Sequence, residues 1–268
     1  MNFTYNFKKS LGQNFLLDHN IINKIINIAN IDNDTTVMEI GAGSGNLTEK
    51  IIEMNPKKIF AVEKDKKLSQ LLTEKFKSCN NIEVVNDDIF NVIKKKKSGN
   101  NTIIFGNLPY NVSTQILASL MLVAKWPPWY EKLILMFQKE VAERIIAEKN
   151  TKEFGRLSVL CGWRMDIKKH FDVSKNCFLP KPKINSTILS FTPKKNINFK
   201  LKDPKVLEKI TRILFSNRRK MINKNFLKLF KNNLSVADDL KIDLKKRPEE
   251  LSKENYYNIA IKYEKLFC

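Results

Sequence analysis

A glycine-rich segment between an apolar stretch and an amphipathic one constrains the fold of this chain more than any other feature. Residues 36–40 have the character of a buried strand, the next five residues include Gly41, Gly43 and Gly45, and residues 47–54 have helical spacing. Glycines at a strand-to-helix turn let the backbone bend sharply and approach a ligand closely. The segment therefore predicts a βα unit with a ligand-binding loop.

Short apolar stretches continue to alternate with amphipathic ones along the first two-thirds of the chain. This alternation is typical of βαβ units with a mostly parallel sheet. We predict further strands at residues 58–62, 82–85, 102–105 and 133–137, and helices at residues 66–77, 113–123 and 139–148. An antiparallel pair is predicted for residues 166–171 and 187–191, on either side of a proline-rich turn.

The pattern changes after Pro193. The next ten residues are polar and typical of a linker, and the chain beyond them has helical spacing without a strand signal, at residues 204–215, 218–230 and 253–266. We therefore predict a boundary near residue 195, between an α/β domain over residues 1–195 and a small helical domain over residues 196–268.

The chain carries a strong excess of positive charge. Its 268 residues include 48 Lys and Arg against 28 Asp and Glu, a formal net charge of +20. Residues 200–231 hold eleven of these cations against two acids, a local net charge of +9. Clustering of this kind favours a nucleic-acid partner, and its densest part is Arg218, Arg219 and Lys220.

The remaining composition disfavours several classes of protein. Four scattered cysteines and two histidines give no metal-ligand spacing, so we predict no metal site and expect reduced thiols. The longest apolar stretch, around residues 133–137, is far too short for a membrane span. The first ten residues lack the apolar core of a secretory signal, which favours a cytoplasmic protein, with a short organellar presequence as the alternative.

Acidic residues follow the next two predicted strands. Glu63 lies twenty-two residues after Gly41, where a carboxylate can accept hydrogen bonds from both ribose hydroxyls of an adenosine group. Asp87 and Asp88 follow the third strand, where a carboxylate could accept one from an adenine amine. The dinucleotide fingerprint requires glycine where this chain has Asn46, and no phosphate-binding lysine follows the glycines. S-adenosylmethionine therefore fits the pattern better than NAD.

A second turn, with the sequence GNLPY, follows the fourth predicted strand. The Asn107 side-chain oxygen and a carbonyl of the Leu108–Pro109 turn could accept the hydrogens of adenine N6, a poor nucleophile because its lone pair is delocalised into the ring. Tyr110 would offer a ring for the base to stack on. An ordinary Asn-x-Pro turn with a half-buried tyrosine is the alternative.

Six motifs resemble those of the ribosomal RNA adenine N6,N6-dimethyltransferase family, and most closely its small-subunit branch. In chain order they are KSLGQNFL (9–16), EIGAGSG (39–45), NLPYNVST (107–114), QKEVAER (138–144), FLPKPK (178–183) and NRRK (217–220). The resemblance implies a Rossmann-like class I methyltransferase sheet with helices on both faces, plus a small all-α C-terminal domain. It also implies dimethylation, from S-adenosylmethionine, of two adjacent adenines in a hairpin near the 3′ end of small-subunit rRNA. The substrate would be a partly assembled small subunit, and we expect the enzyme to be a monomer.

The same resemblance implies a set of cofactor-binding residues. Asn14 and Leu16 would close over the methionine end of the cofactor, and the glycine loop would contact it at Gly41 and Gly43. Glu63 would bind the ribose, Asp88 the adenine, and Asn107 would lie at the junction of cofactor and substrate. The family usually has proline where this chain has Ala42, which predicts a slightly more flexible loop with cofactor binding kept.

Substrate-binding residues are implied as well. The Asn107–Tyr110 turn would hold the target adenine, with Phe178 stacking on it opposite Tyr110. Arg218, Arg219 and Lys220 are predicted to contact rRNA phosphates.

Three alternatives stay open. The 23S rRNA dimethylases of macrolide resistance share the glycine loop and the FxPxP turn, but they typically carry isoleucine where this chain has Leu108. DNA adenine methyltransferases usually carry a (D/N)PPY turn, which differs from Asn107-Leu-Pro. A ribosome-assembly factor that acts by binding would be expected to lack Glu63, Asn107 or Tyr110, and all three are present.

Overall fold

The computed structural model describes residues 14–95 and 101–268. Residues 9–13 of the first motif, and the N-terminal residues considered as a presequence, lie outside the described part. Two compact units are formed. The first comprises the described residues up to Ser119 with Pro128–Ala142 and Lys168–Thr192, and the second comprises Leu120–Pro127, Glu143–Ile167 and Pro193–Cys268.

The described strands and helices are numbered in chain order. The strands are β1 (Phe15–Leu16), β2 (Thr36–Ile40), β3 (Lys58–Val62), β4 (Ile82–Val85), β5 (Thr102–Asn107), β6 (Lys132–Gln138), β7 (Met165–Val173), β8 (Phe178–Leu179) and β9 (Ser186–Pro193). The helices are α1 (His19–Ile26), α2 (Asn46–Glu53), α3 (Lys66–Lys75), α4 (Ile89–Lys95), α5 (Ser113–Met121), α6 (Lys139–Ile146), α7 (Arg156–Arg164), α8 (Pro204–Leu214), α9 (Asn223–Leu229), α10 (Ser235–Asp239) and α11 (Lys253–Phe267). Among these helices, none combines the length and apolar character that crossing a membrane requires.

A seven-stranded sheet with the order β4-β3-β2-β5-β6-β9-β7 organises the first unit. Strands β2 to β6 pair in parallel, and β9 is antiparallel to β6. The predicted α/β class with a mostly parallel sheet is confirmed, and strands β2, β3 and β4 have the predicted bounds. Parallel strands that are buried on both faces consist of nearly continuous apolar residues. Their bounds could therefore be predicted closely from the sequence.

The sheet register brings three loops to one edge. Ile40 at the end of β2 lies beside Val62 of β3 and Gly106 of β5. Because parallel strands share the edge at their carboxyl ends, the glycine loop, Glu63 and the Asn107 turn all emerge there. In open α/β sheets this edge is where ligands bind.

Helix α1 is an element that the sequence analysis did not predict. Asp18 caps its N-terminus by accepting hydrogen bonds from the amides of Asn20 and Ile21, at 2.9 and 3.1 Å. Ile22 and Ile25 lie on one face and are buried in an apolar cluster with β2 and β5. Burial of large aliphatic side chains, each contributing about 1.5–3 kcal/mol, stabilises this short asparagine-rich helix.

The second unit is largely helical and has its own apolar core. Leu207 and Ile210 of α8 pack there with Phe226 of α9 and Tyr256 of α11. Besides residues 193–268, this unit contains two segments that the sequence analysis placed in the α/β domain, because α7 buries Trp163 in the same core. The assignment of residues 196–268 as an RNA-binding domain stays a prediction.

The helix predicted for residues 218–230 is wrong at its start. Helix α9 begins at Asn223, and the preceding residues form turns. The amide of Lys220 donates to the Asn217 carbonyl at 2.9 Å, and the amide of Ile222 donates to the Lys246 carbonyl at 2.9 Å. The latter bond takes its acceptor from a distant part of the chain, which local sequence periodicity does not reveal.

Candidate active site

A cavity of about 230 Å³ lies at the carboxyl ends of strands β2 to β5. Nine of the residues predicted from the sequence line it together: Asn14, Gly41, Gly43, Glu63, Asp88, Asn107, Leu108, Pro109 and Tyr110. These residues come from five separate parts of the chain, and the sheet register is what assembles them.

The glycine loop is held against the end of β3. The Gly41 amide donates to the Val62 carbonyl at 2.8 Å, and the Ala42 amide donates to the same oxygen at 3.3 Å, a bond that proline could not form. Gly43 has a φ of 57°, and a Cβ atom there would lie 2.7 Å from the Phe15 ring. Only glycine allows both that backbone conformation and the close packing of Phe15.

Glu63 links the loop to the strand end. Its side chain is 7% exposed, with one carboxylate oxygen accepting from the Gly43 amide at 3.0 Å and the other from the Asp65 amide at 2.8 Å. Burial raises the pKa of Glu63, while these amide hydrogen bonds act in the opposite direction. Each carboxylate oxygen has a further lone pair, so Glu63 can shape the loop and still accept hydrogen bonds from a diol.

Glu39 lies within β2, and the sequence analysis gave it no role. It is buried, and the Thr48 hydroxyl donates to its carboxyl at 2.5 Å. Burial raises the pKa of Glu39 to about 8, against the Thr48 hydrogen bond and with the charge of Glu63 adding to the rise. An acid inside an apolar strand was the available sequence signal, since such a residue is rarely buried without a partner.

Asp88 lines the cavity with an oriented carboxylate. One oxygen accepts from the Phe90 amide at 3.0 Å, and the other lies 2.8 Å from the Lys64 ammonium. Burial raises the pKa of Asp88, but the Lys64 hydrogen bond and the Phe90 amide outweigh it, so the net pKa is lowered. Lys64 also lines the cavity, and the sequence analysis missed it because an exposed lysine carries no pattern of its own.

The neighbouring carboxylate, Asp87, is engaged by helix α4. Asn91 and Lys95 donate to it at 2.8 and 2.9 Å. The hydrogen bond from Asn91, then that from Lys95, lowers the pKa of Asp87 to about 2. Asp88 is thus the better placed of the two acids to take a ligand amine.

The Asn107 turn is oriented by the N-terminal segment. The Asn107 side-chain nitrogen donates to the Asn14 backbone carbonyl at 2.8 Å. Because a carbonyl only accepts, this bond fixes the amide orientation and leaves the Asn107 side-chain oxygen as the acceptor group. Leu108 is buried beneath the turn and packs against Gly106.

Tyr110 is held at the cavity wall. Its hydroxyl is 2.7 Å from the Ser186 hydroxyl, and burial raises its pKa, so the phenol is neutral near physiological pH. Ser113, at the first position of α5, donates to the Tyr110 carbonyl at 3.2 Å. These contacts fix the ring in place, which a base-stacking surface requires.

Two predicted site residues lie in the apolar core instead of the cavity lining. Leu16 of β1 is paired with Phe178 of β8, and both are buried in the cluster around Ile22. The Leu16 carbonyl accepts from the Asn46 side chain at 2.9 Å. Antiparallel pairing turns both side chains to the same side, into the core, and Phe178 is not among the residues that line the cavity with Tyr110. Its stacking role and the cofactor contact of Leu16 stay predictions.

The three residues predicted to bind RNA lie in the second unit and differ in their contacts and exposure. The Arg218 guanidinium is 3.5 Å from the Glu249 carboxylate and donates to the Thr151 carbonyl at 3.3 Å. Arg219 and Lys220 are exposed. Arg218 therefore has a role inside the second unit, whereas its two neighbours are available to solvent.

The family model for ribosomal RNA adenine dimethylase matches residues 4–265. A ribosomal RNA small subunit methyltransferase A from Pelagibacter ubique is 50% identical over 259 residues, covering 97% of each chain. A protein of the same name from Rhizobium etli is 39% identical, covering 94% of this chain and 91% of its own.

Solved structures agree in fold. A dimethyladenosine transferase from Plasmodium falciparum superposes with a TM-score of 0.76 at 26% identity, covering 94% of this chain and 98% of its own. The 23S rRNA methyltransferase ErmE superposes with a TM-score of 0.67 at 22% identity, covering 94% and 100%, and shows the shared fold alone. The resemblance of the motifs and the predicted methyltransferase fold are confirmed, and the chain belongs to the ribosomal RNA adenine dimethylase family.

Proposed function

We propose that this protein dimethylates N6 of two adjacent adenines in a hairpin near the 3′ end of small-subunit rRNA. By family the chain is an rRNA adenine dimethylase, and S-adenosylmethionine is the methyl donor. The relatives at 50% and 39% identity are named for the small subunit, which favours that rRNA over the 23S rRNA named for ErmE. The observation that carries the proposal is the Asn107 acceptor oxygen, fixed in a cavity that Glu63 and Asp88 also line.

The residues of the cavity suit an adenosine-containing cation. Its lining includes the carboxylates of Glu63, Asp87 and Asp88, and among the described residues Lys64 is its one cation, ion-paired with Asp88. Glu63 would accept hydrogen bonds from the ribose hydroxyls, and Asp88 would accept one from the adenine amine. Because Gly41 and Gly43 have no side chains, the ligand could approach the backbone of the glycine loop closely. When bound, S-adenosylmethionine would supply an electrophilic methyl group on a positively charged sulfur.

The protein's share of the chemistry is positioning and hydrogen bonding. Asn107 and a carbonyl of the Leu108–Pro109 turn would accept the N6 hydrogens of the target adenine, which favours a more nucleophilic geometry at that nitrogen. Tyr110 would stack on the base and hold its plane. Fixed polar groups and alignment at the reacting centre are large sources of rate enhancement, so no imidazole base is needed.

The second methylation requires space beside the same turn. After one transfer, N6 keeps one hydrogen, which can still donate a hydrogen bond to Asn107, and the first methyl group needs space beside this side chain.

We infer that the substrate is a partly assembled small subunit in the cytoplasm, bound by one copy of the enzyme. The +9 charge of residues 200–231 supports an rRNA contact by the second unit.

Side-by-side methyl transfer tests this proposal. Radiolabelled S-adenosylmethionine is incubated with the protein and unmethylated small subunits, mature large subunits or duplex DNA. We expect label in the small subunits alone. Label in large subunits would favour the 23S enzyme, label in DNA would favour a DNA methyltransferase, and tight small-subunit binding without label would identify an assembly factor.

A further inference from the structure

Asn46 begins helix α2, but its side chain is bonded to another part of the chain. An asparagine at a helix start usually accepts hydrogen bonds from the first amides of its own helix. Here Gly45 occupies the N-cap position, with a φ of 79° and no side-chain hydrogen bond to the helix. The Asn46 side-chain nitrogen donates instead to the Leu16 carbonyl, 30 positions earlier in the chain, at 2.9 Å.

Residues 14–16, which we call the strap, are held by two asparagine side chains from different elements. Asn107, at the end of β5, donates to the Asn14 carbonyl at 2.8 Å. Asn46, at the start of α2, donates to the Leu16 carbonyl. Because both acceptors are backbone atoms, these bonds fix the path of the strap whatever its side chains are.

The strap lies against the glycine loop and forms part of the cavity wall. The Phe15 ring packs so closely on Gly43 that a Cβ atom on that glycine would lie 2.7 Å from it. Asn14 and Phe15 line the cavity together with Gly43, whereas Asn46 is not among the residues that line it. A ligand in the cavity would therefore contact the strap directly and would be affected by Asn46 only through the strap.

We propose that Asn46 is a positioning residue, which fastens the strap over the bound S-adenosylmethionine without contacting it. A segment that is already held in its bound position costs less to order when the ligand binds. The Asn46 bond therefore raises cofactor affinity, by the factor of about two to ten that one net hydrogen bond represents. The proposal rests on the assignment of this cavity to the cofactor, and it adds a residue that contacts neither cofactor nor target adenine.

Two substitutions of Asn46 separate the donated hydrogen bond from the structure of the helix. Asn46→Ala removes the donor. Asn46→Asp keeps the shape of the side chain but directs a group that only accepts at the Leu16 carbonyl. Since a carboxylate in the first turn suits the helix dipole, Asn46→Asp should not destabilise α2.

Asn81 offers a matched control in the same unit. Its side-chain nitrogen donates to the Pro56 carbonyl, also at 2.9 Å. This bond lies where the chain enters β3 and β4, at the opposite edge of the sheet from the cavity, and neither residue lines the cavity. Asn81→Ala therefore removes a bond of the same kind without affecting the strap.

Cofactor binding and hydrogen exchange give the direct readouts. Affinity for S-adenosylhomocysteine, measured by calorimetry, should fall about two- to tenfold in Asn46→Ala and at least as much in Asn46→Asp. In the cofactor-free variants, exchange should be faster around Leu17, whose amide donates to the Cys177 carbonyl at 2.9 Å directly after the strap. Asn81→Ala should leave both quantities unchanged.

Kinetics give a readout that a merely structural role would not produce. The KM for S-adenosylmethionine should rise in both Asn46 variants, while turnover at saturating cofactor stays near the wild-type value, because Asn46 does not contact the reacting groups. A fall in turnover with an unchanged KM would overturn the proposed role.

Glu63→Ala distinguishes a failure of this proposal from a failure of the cofactor site. If Glu63→Ala binds S-adenosylhomocysteine more weakly and both Asn46 variants bind it normally, the site stands and the role of Asn46 is overturned. Normal binding by Asn46→Asp alone, or an equal loss in Asn81→Ala, would also overturn that role. Normal binding by all three variants at Asn46 and Glu63 would contradict both the role of Asn46 and the cofactor site.

Discussion

The side-chain amide of Asn107 donates to the backbone carbonyl of Asn14 across a 2.8 Å hydrogen bond. The two residues are 93 positions apart, and the bond ties the N-terminal segment to the substrate turn. Since this bond fixes which side of the amide carries the nitrogen, the side-chain oxygen is the group that can accept a hydrogen bond from the target amine. A single contact thus orients the proposed reacting centre and fastens the segment that covers the glycine loop.

Replacing Asn107 should affect rate far more than substrate binding. Asn107→Ala removes the acceptor oxygen, and we expect turnover to fall about a hundredfold or more, as is common when a fixed polar group at a reacting centre is lost. Steady-state kinetics with small subunits, together with a binding assay, check this, and Asn30→Ala at an exposed loop position serves as the control. If subunit affinity falls as steeply as turnover, Asn107 is a structural turn residue.

Glu63 should contribute to both the cofactor site and the loop. Glu63→Ala removes the acceptor for two backbone amides and the proposed acceptor for the ribose, so cofactor affinity should weaken by about 1–3 kcal/mol, the scale for hydrogen bonds to a charged group. The melting temperature should also fall, because the Gly43 and Asp65 amides lose their acceptor. Calorimetry with S-adenosylhomocysteine measures the first effect, with the exposed Glu49→Ala as a control. Unchanged affinity in the folded variant would remove Glu63 from the cofactor site.

The buried Glu39 should make stability depend on pH. Its pKa is about 8 in the folded protein against an ordinary value of 4.5, so between these values the folded state holds a proton that the unfolded state releases. The free energy of unfolding should therefore fall as pH rises through this window, by at most about 1.4 kcal/mol per pH unit. Glu39→Gln stays neutral and should lack this contribution. Denaturant unfolding at several pH values compares the two proteins, and parallel pH profiles would show that Glu39 is already ionised in the fold.

Phe178 and Tyr110 should respond differently to truncation. Phe178 is buried in the apolar core, so Phe178→Ala should lower the free energy of unfolding by about 3–5 kcal/mol. Tyr110→Ala should cost less stability and should raise the KM for RNA, through lost stacking of about 1–3 kcal/mol. Chemical denaturation and kinetics on the same samples separate the two effects. A Phe178→Ala protein with wild-type stability and a raised KM would support the stacking role implied by the family resemblance.

The sheet was predictable because its strands are short, apolar and bounded by glycine or acidic residues. β2, β3 and β4 match to the residue, whereas α1 was missed because its three buried isoleucines stand among polar residues. The cavity residues at strand ends could be predicted because a parallel sheet brings the carboxyl ends of its strands to one edge. The burial of Phe178 did not, since it depends on a long-range pairing with Leu16 that no local pattern encodes. The Glu249 partner of Arg218 could not be predicted for the same reason, and Lys64 could not because an exposed lysine has no pattern of its own.

Mass spectrometry of nuclease fragments of small-subunit rRNA after reaction identifies both the modified nucleotides and their positions. We expect the wild-type protein to convert adjacent adenines of the 3′ hairpin to N6,N6-dimethyladenosine, and Asn107→Ala to leave them unmodified while still binding the subunit. A product methylated at another position of the rRNA, or equal dimethylation by the Asn107→Ala protein, would contradict the assignment of this cavity and its reacting turn.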